Sequence, residues 1–325
     1  MKLSNSFRDF FVPITSVLVG AAYGLFCRLF FASSSFEGYF GVMTLGFLFG
    51  VPLAIGVIGV LMLREEKDEG WISWLMVPLG ISILTLVVAL LLAWEGMICI
   101  VIWSPLFVGL AVISGLVTGF VRKAVRSSRS RQLQVMAVAA VLPFALTPAE
   151  HLWTPPQALE IVENRIEIAA PAAAVWEQIR EVPAIAPEEL APSFVHRIGF
   201  PRPIAATLEG EGVGAVRHAT FEGGILFVEE VTEWQPERVL AFSIHPENVP
   251  PKTFDRHVAV GGPYFDVLDG RYELEVLGPQ RTLLRLSSTH RLNTRFNGYT
   301  RLWTRLFMSR IQDNILQVVA QRSEA

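Results

Sequence analysis

Phe40–Leu63 reads FGVMTLGFLFGVPLAIGVIGVLML, 24 residues without one charged side chain. A helix needs about 20 apolar residues to cross roughly 30 Å of hydrocarbon, so this run is long enough to span a bilayer. Phe11–Phe31 precedes it and carries Arg28 near its end. Trp71–Ala93 and Met97–Val121 follow, separated by the short Trp94–Gly96 connection. Leu133–Leu146 is a fifth apolar run that contains Pro143. Its length is shared by short spans and by interfacial or re-entrant segments. The expected first domain, residues 1–147, is an α-helical transmembrane bundle of four to five spans, at about 11–31, 40–63, 71–93, 97–121 and 133–146.

The whole chain leans the same way. Of its 325 residues 52% are hydrophobic, with a mean hydropathy of +0.44 and a net charge of −3, against about 45–50% apolar in ordinary soluble proteins. That average hides a split. Charges are sparse before Arg122 and dense after Leu159, and all six histidines (His151, His196, His218, His245, His257, His290) lie at or beyond position 151. Two regimes imply two domains, joined by a linker at 148–158 in which Pro148, Pro155 and Pro156 are expected to block helix. Residues 159–325 form the second domain and contain no cysteine; Cys27 and Cys99 both fall in apolar runs. Met1–Arg8 with the run behind it reads as a retained first span. The run exceeds a signal peptide's apolar core, and no small-residue cleavage site follows.

Basic residues orient the bundle, because cytoplasmic loops collect Lys and Arg. Lys2 and Arg8 precede the first run, Arg64 and Lys67 follow the second, and Arg122, Lys123, Arg126, Arg129 and Arg131 follow the fourth. Ala32–Tyr39 and Trp94–Gly96 have none. The expectation is a multi-pass cell-membrane protein with a cytoplasmic N-terminus. If Leu133–Leu146 spans, which the reading favours, the second domain is extracytoplasmic. Arg28 and Glu95 meet the same outer interface, where they read as anchors within pairing reach rather than as an ion path.

In the second domain Ile161–Ala169 alternates as a strand does, and Pro171 opens a helix with apolar face Val175, Trp176, Ile179 and Val182. Strand-like runs follow at Ala215–Phe221, Ile225–Trp234, Val239–His245, roughly Phe254–Val260, Gly270–Leu277 and Thr282–Leu292, punctuated by Gly223-Gly224, Gly261-Gly262-Pro263 and Gly278-Pro279. Tyr299–Arg322 has the spacing of an amphipathic helix. Trp303, Phe307, Ile311, Ile315, Val318 and Val319 are expected inward, with Arg305, Gln312 and Asp313 elsewhere on its circumference.

Three segments carry a resemblance: Ile166-Glu-Ile-Ala-Ala-Pro-Ala-Ala-Ala-Val-Trp-Glu-Gln-Ile, Val231-Thr-Glu-Trp-Gln-Pro-Glu-Arg-Val-Leu-Ala-Phe and Ile311-Gln-Asp-Asn-Ile-Leu-Gln-Val-Val-Ala-Gln-Arg. With the order strand, helices, antiparallel strands, long C-terminal helix, Leu159–Arg322 resembles the START-like or SRPBCC superfamily, in its polyketide cyclase/dehydrase-like branch. The resemblance implies an α+β helix-grip fold, a curved antiparallel sheet around the C-terminal helix, with a largely apolar cavity that takes a hydrophobic small molecule or lipid. No cofactor is expected.

The candidate site follows from strand alternation. Tyr272, Leu274 and Val276 should face inward, as should Leu284, Leu286, Ser288 and His290. His290, the one catalytic candidate with Tyr272 beside it, either meets a ligand or moves a proton, or is a strand-end histidine bonded to backbone or water. Arg217 with Glu229 or Glu230 is either a buried polar anchor or a solvated cross-strand pair. Asp255–Asp266, with His257 and Tyr264, is either a lid at the cavity mouth or a strand ending in a glycine-proline turn. The ligand-binding set is thus Arg217, Glu229, His257, Tyr264, Tyr272, Leu274, Leu286 and His290. No histidine or cysteine spacing fits a metal site, and 22 acidic against 17 basic residues after Pro155 argue against nucleic acid. The expected function is a membrane-anchored binding protein for a hydrophobic molecule. The alternatives are an enzyme of cyclase, dehydratase or hydrolase type, and a membrane sensor with a ligand-binding domain.

The orientation is tested by labelling intact cells with an impermeant thiol reagent. Ser34→Cys should react and Ser127→Cys should not; the reverse pattern would overturn the assignment.

Overall fold

The computed structural model describes residues 3–36, 39–63, 70–125, 128–250 and 258–325. The chain divides into two units, Met1–Thr154 and Pro155–Ala325.

Apolar periodicity folds the first unit into five helices: α1 (Leu3–Phe31), α2 (Val51–Met62), α3 (Trp71–Leu91), α4 (Met97–Ala124) and α5 (Arg129–Glu150). α1 from Pro13, α3, α4 and α5 are each long and apolar enough to cross a membrane. The run at 40–63 is helical over less of its length than expected. A π-helical turn at Gly46–Gly50 leads into α2, so Gly46–Met62 is a shorter apolar helix. The fifth run is longer than expected: α5 passes through both Pro143 and Pro148 and ends only at Glu150. Proline is tolerated there because neighbours attend to the disturbed backbone. Tyr23 donates to the Ala140 carbonyl (2.9 Å), and Thr147 Oγ1 donates to that of Pro143 (3.0 Å).

α2 is the buried helix of this unit, with nine of its residues, Val51 to Leu61, out of solvent. A Cβ on Gly56 would stand 1.9 Å from Ser114 Oγ and 2.2 Å from the Ala111 carbonyl, so only glycine lets α4 approach this closely. The ends of α2 are pinned by charges of the sign its dipole favours. Ahead of it, the Leu45 N–H donates to Glu150 Oε2 (2.6 Å). At its C-terminal end Arg122 and Arg129 donate to the Val60 and Leu61 carbonyls (2.9 and 3.3 Å). Arg28 pairs with Glu95 and donates to the Trp94 carbonyl (2.7 Å).

The second unit is a seven-stranded antiparallel sheet holding a long C-terminal helix. Its strands are β1 (Ala158–Ile168), β2 (Pro203–Glu209), β3 (Val216–Phe221), β4 (Ile225–Gln235), β5 (Val239–Asn248), β6 (Phe265–Gly278) and β7 (Arg281–Leu292), in the order β1-β7-β6-β5-β4-β3-β2. α6 (Ala172–Arg180) and the single turn α7 (Phe194–Arg197) connect β1 to β2, and α8 (Asn297–Glu324) closes the chain. β2 was not expected from the sequence. The run at Phe254–Val260 falls largely outside the described residues, and Val260 forms only an isolated bridge to Phe265. Gly223 and Gly224, both at φ +79°, supply the left-handed turn that joins β3 to β4.

The two-residue period puts one row from each strand on a common face. Ile168, Leu240, Phe242, Tyr272, Leu274, Leu284 and Leu286 on that face pack with Val175, Trp176 and Ile179 of α6 and Leu316 and Val319 of α8. A second cluster, Ala206, Ala219, Ile225 and Phe227 with Val182, lies toward the β2 edge. Val276 does not follow its row: it is 65% exposed, beside the register shift that ends the β6–β7 ladder. α8 buries a wider face than expected. Phe307, Val318 and Val319 are buried and Ile315 packs against the core as expected, while Trp303 and Ile311 are half-buried and Gln312 and Leu316 are buried beside them.

Polar groups lock α8 to β1 and to the segment after α6. Asn164 donates to Ser309 Oγ (3.0 Å) and to Asp313, buried Glu160 pairs with Arg301 and Arg305, and Arg322 holds Glu189 (2.6 Å) and the Pro183 and Ala184 carbonyls. Phe307→Ala should therefore cost about 3–5 kcal/mol. Arg305→Ala, which leaves Arg301 on Glu160, should stay within about 1 kcal/mol. Removing both arginines strands a buried carboxylate and should cost about 3–5 kcal/mol. Hydrogen exchange of α8 amides in the full chain measures all three; equal effects of Phe307→Ala and Arg305→Ala would contradict this packing.

Candidate functional site

The strand register places Arg217 directly opposite Glu229, and Glu229 opposite Ile244. Arg217 and Glu229 are 4% and 6% exposed and form an ion pair. The guanidinium also donates to Tyr272 and lies over the Phe242 ring, 5.3 Å from its centroid. Its Nε is buried with no hydrogen-bond partner among the described residues. Burial pushes the Glu229 carboxyl above its ordinary range, with Arg217 pulling it back. Burial opposes the Arg217 charge, but the Glu229 carboxylate more than restores it, so the guanidinium stays protonated. Burial likewise raises the Tyr272 hydroxyl, which remains neutral. The pair is buried rather than solvated. Glu230 points outward and is exposed, and half-buried His218 faces Glu209.

His290 is fully buried, on the same row as Ser288. Ser288 Oγ lies 2.9 Å from His290 Nε2, and Gln312 of α8 donates its amide to Ser288 Oγ (2.8 Å) and to the Val162 carbonyl (3.0 Å). The Phe265 ring stacks on the imidazole at 5.7 Å. His290 Nδ1 and Gln312 Oε1 are buried without a hydrogen-bond partner among the described residues. Desolvation lowers the imidazole from 6.5 to about 4. Nearby, His196 shares one nitrogen with the Phe200 carbonyl (3.0 Å) and the other with the Asn314 amide (2.9 Å), so α7 is fastened to α8.

The expected residues thus fall in different places. Arg217, Glu229 and Tyr272 come together, and His290 joins Ser288 and Gln312. Leu274 and Leu286 belong to the packed cluster against α6 and α8. Tyr264 lies in the turn before β6, where its carbonyl accepts from the Asn293 N–H (3.0 Å). His257 lies outside the described residues, and with it the lid reading of that stretch. Gln312, His196 and Asn314 were missed. Gln312 was read as an outward residue, and its place four residues before Leu316 was the available signal. Among the described residues no three His, Cys, Asp or Glu side chains converge as a metal site would require.

No family model and no curated protein matches the chain. Solved structures do. A norcoclaurine synthase from Thalictrum flavum is 17% identical over 51% of this chain and 97% of that one, with a TM-score of 0.32. An aromatase/cyclase from a Streptomyces species is 18% identical over 51% and 94%, with a TM-score of 0.31. A protein from Thermus thermophilus is 16% identical over 50% and 97%, with a TM-score of 0.33.

The buried imidazole has a pH signature. Its folded value, about 4, lies below the unfolded 6.5, so the unfolded chain takes up the proton first. Its contribution to stability is therefore complete above pH 6.5 and is lost as the pH falls toward 4. Glu189, drawn down to about 2 by Arg322 and the Ala186 N–H, acts lower, between its ordinary 4.5 and 2. His290→Gln should flatten the upper window alone when amide exchange is followed against pH. Identical profiles for wild type and variant would contradict a buried neutral imidazole.

Proposed function

We propose that this chain is a membrane-anchored binding protein, with the first unit in the bilayer and the second holding a hydrophobic small molecule on the covered face of its sheet. The observation that carries this reading is the Arg217–Glu229 pair. An ion pair on an apolar face gains little for stability, since hydrophobic replacements of similar volume often do as well. A neutralised pair with a spare guanidinium N–H suits a ligand whose apolar body needs one polar fix. The unpartnered Arg217 Nε supplies a donor for an oxygen at the polar end of such a molecule.

The apolar helices of the first unit support the anchoring half of the proposal. Counting Gly46–Met62 with the four longer helices gives five passes. A cytoplasmic N-terminus, read from the basic loops, then puts the second unit on the outer side. A hydrophobic ligand partitions into the bilayer, so a binding domain tethered to it has its supply at hand.

The contact between Ser288 and His290 is the observation that favours the rival, an enzyme using the histidine as a base. Its chemistry is poor for that task. A base serves best with a pKa near the working pH, whereas this imidazole is held near 4 by burial, and its Nδ1 has no carboxylate to orient it. Binding without turnover is the better account.

The test is mass spectrometry of the organic extract of the full chain purified from its membrane. A discrete apolar compound should accompany the wild type. It should fall about tenfold or more in Arg217→Met/Glu229→Gln, which removes both charges together and strands neither. An extract identical for both proteins, or bulk membrane lipid alone, would overturn the proposal.

A further inference from the structure

We propose that the start of α8, with α7 beside it, docks on the surface of a bilayer that contains anionic lipid. The inference rests on the anchoring half of the proposed function, and it gives the second unit a lipid contact of its own.

Charge is segregated along the second unit. After Pro155 acidic residues outnumber basic ones 22 to 17, yet residues 190–208 and 291–312 hold seven arginines and no Asp or Glu. The fold joins these two segments. Phe194 of α7 and Phe200 after it pack on Phe307 of α8, with ring centroids 6.1 and 4.7 Å apart, and Asn314 bonds His196. Acidic groups from outside the segments neutralise part of the charge. Arg301 and Arg305 share the one carboxylate of Glu160, Arg291 meets Asp266, and Arg310 meets Asp313. Two guanidiniums on one carboxylate still leave a positive charge, and Arg197 is exposed on α7.

Apolar side chains stand exposed in the same place. Leu302 and Leu306 lie four residues apart on one stripe of α8, beside Trp303 and Phe307. They are 64% and 38% exposed, and Phe194 is 40% exposed. On a helix that faces water those positions are ordinarily polar. Leucine, phenylalanine and tryptophan bordered by arginine are the composition of a helix lying in a bilayer interface, with its apolar side chains below the headgroups and its guanidiniums among the phosphates.

The path of the chain selects lipid as the occupant. Asn297, the first residue of α8, donates to the carbonyl of Pro156, six residues after α5 ends at Glu150. α5 is long and apolar enough to cross a membrane, so the first turn of α8 is fastened to the chain just beyond a candidate span. Leu152 and Trp153 in that connection are exposed as well, and tryptophan is the residue that favours a water–lipid boundary. The positive sign of the patch then selects anionic headgroups.

Spin labels on the full chain in lipid nanodiscs test this, because oxygen concentrates in hydrocarbon while a nickel chelate stays in water. Labels go on Leu302→Cys, on Ile83→Cys in α3 and on Val213→Cys in the β2–β3 turn, all exposed positions. Cys27 and Cys99 are buried, and the unsubstituted chain supplies the blank. In discs containing anionic lipid the label at 302 should respond to oxygen over nickel, as the label at 83 does, and the label at 213 should do the reverse. Arg197→Gln/Arg310→Gln should shift the label at 302 toward water, as should high salt. A label at 302 as wet as that at 213, with the one at 83 in lipid, would overturn the docking and leave the anchoring standing. A wet label at 83 would overturn both. Equal immersion of the label at 302 in purely zwitterionic discs would overturn the preference for anionic lipid. Shielding found in discs with two copies of the chain, and absent with one, would give the patch to a second copy and overturn the lipid assignment.

Discussion

A charge withdrawn from water has to find a partner, and in both units the architecture is organised around that requirement. In the first unit α2 carries no charge of its own, yet charged side chains from other helices hold its ends: Glu150 on the N–H of Leu45, Arg122 and Arg129 on the carbonyls of Val60 and Leu61. In the second unit the sheet register sets Arg217 against Glu229 on the face that the rest of the fold covers. Removing either partner there would leave an ion with no water to solvate it. The apolar clusters pack around these fixed points.

The covered face of the sheet is accordingly uneven. Toward α6 it is closed by Trp176, Leu284 and Leu316, and toward β2 by Ala206, Ala219 and Phe227. The same rows carry Arg217, Glu229, Ser288 and His290, and α8 adds Gln312 and Asn314. Among the described residues, Arg217 Nε, His290 Nδ1 and Gln312 Oε1 on that face are buried without a hydrogen-bond partner. The burial that lowers the His290 imidazole also keeps it uncharged at neutral pH.

Much of this was legible in the amino-acid order, for reasons that also explain what was not. Long uncharged runs announce helices of spanning length whatever their neighbours, and the alternation Leu284, Leu286, Ser288, His290 set one face of β7. The pairing of Arg217 with Glu229 was open because alternation leaves Glu229 and Glu230 equivalent until the register is known. α2 was overestimated because the run at 40–63 contains glycines that end or tighten the helix as readily as they pack it. α5 was underestimated because Pro143 and Pro148 read as breakers, while Tyr23 and Thr147, which bond to carbonyls near Pro143, lie elsewhere in the chain or across the second proline. Gln312 was assigned outward because a polar residue on an amphipathic helix is expected there. It is buried because the Val162 carbonyl and Ser288 accept its amide, and neither is visible from the helix sequence alone.

The account turns on a molecule lying against the covered face of the second unit. Its most direct test is an electron cryo-microscopy map of the full chain purified with its own lipids and never exposed to displacing detergent. Continuous non-protein density along that face, with its polar end at Arg217 Nε, is the predicted result. A face closed by side chains alone, with Arg217 bonded only to protein or to isolated waters, would contradict it.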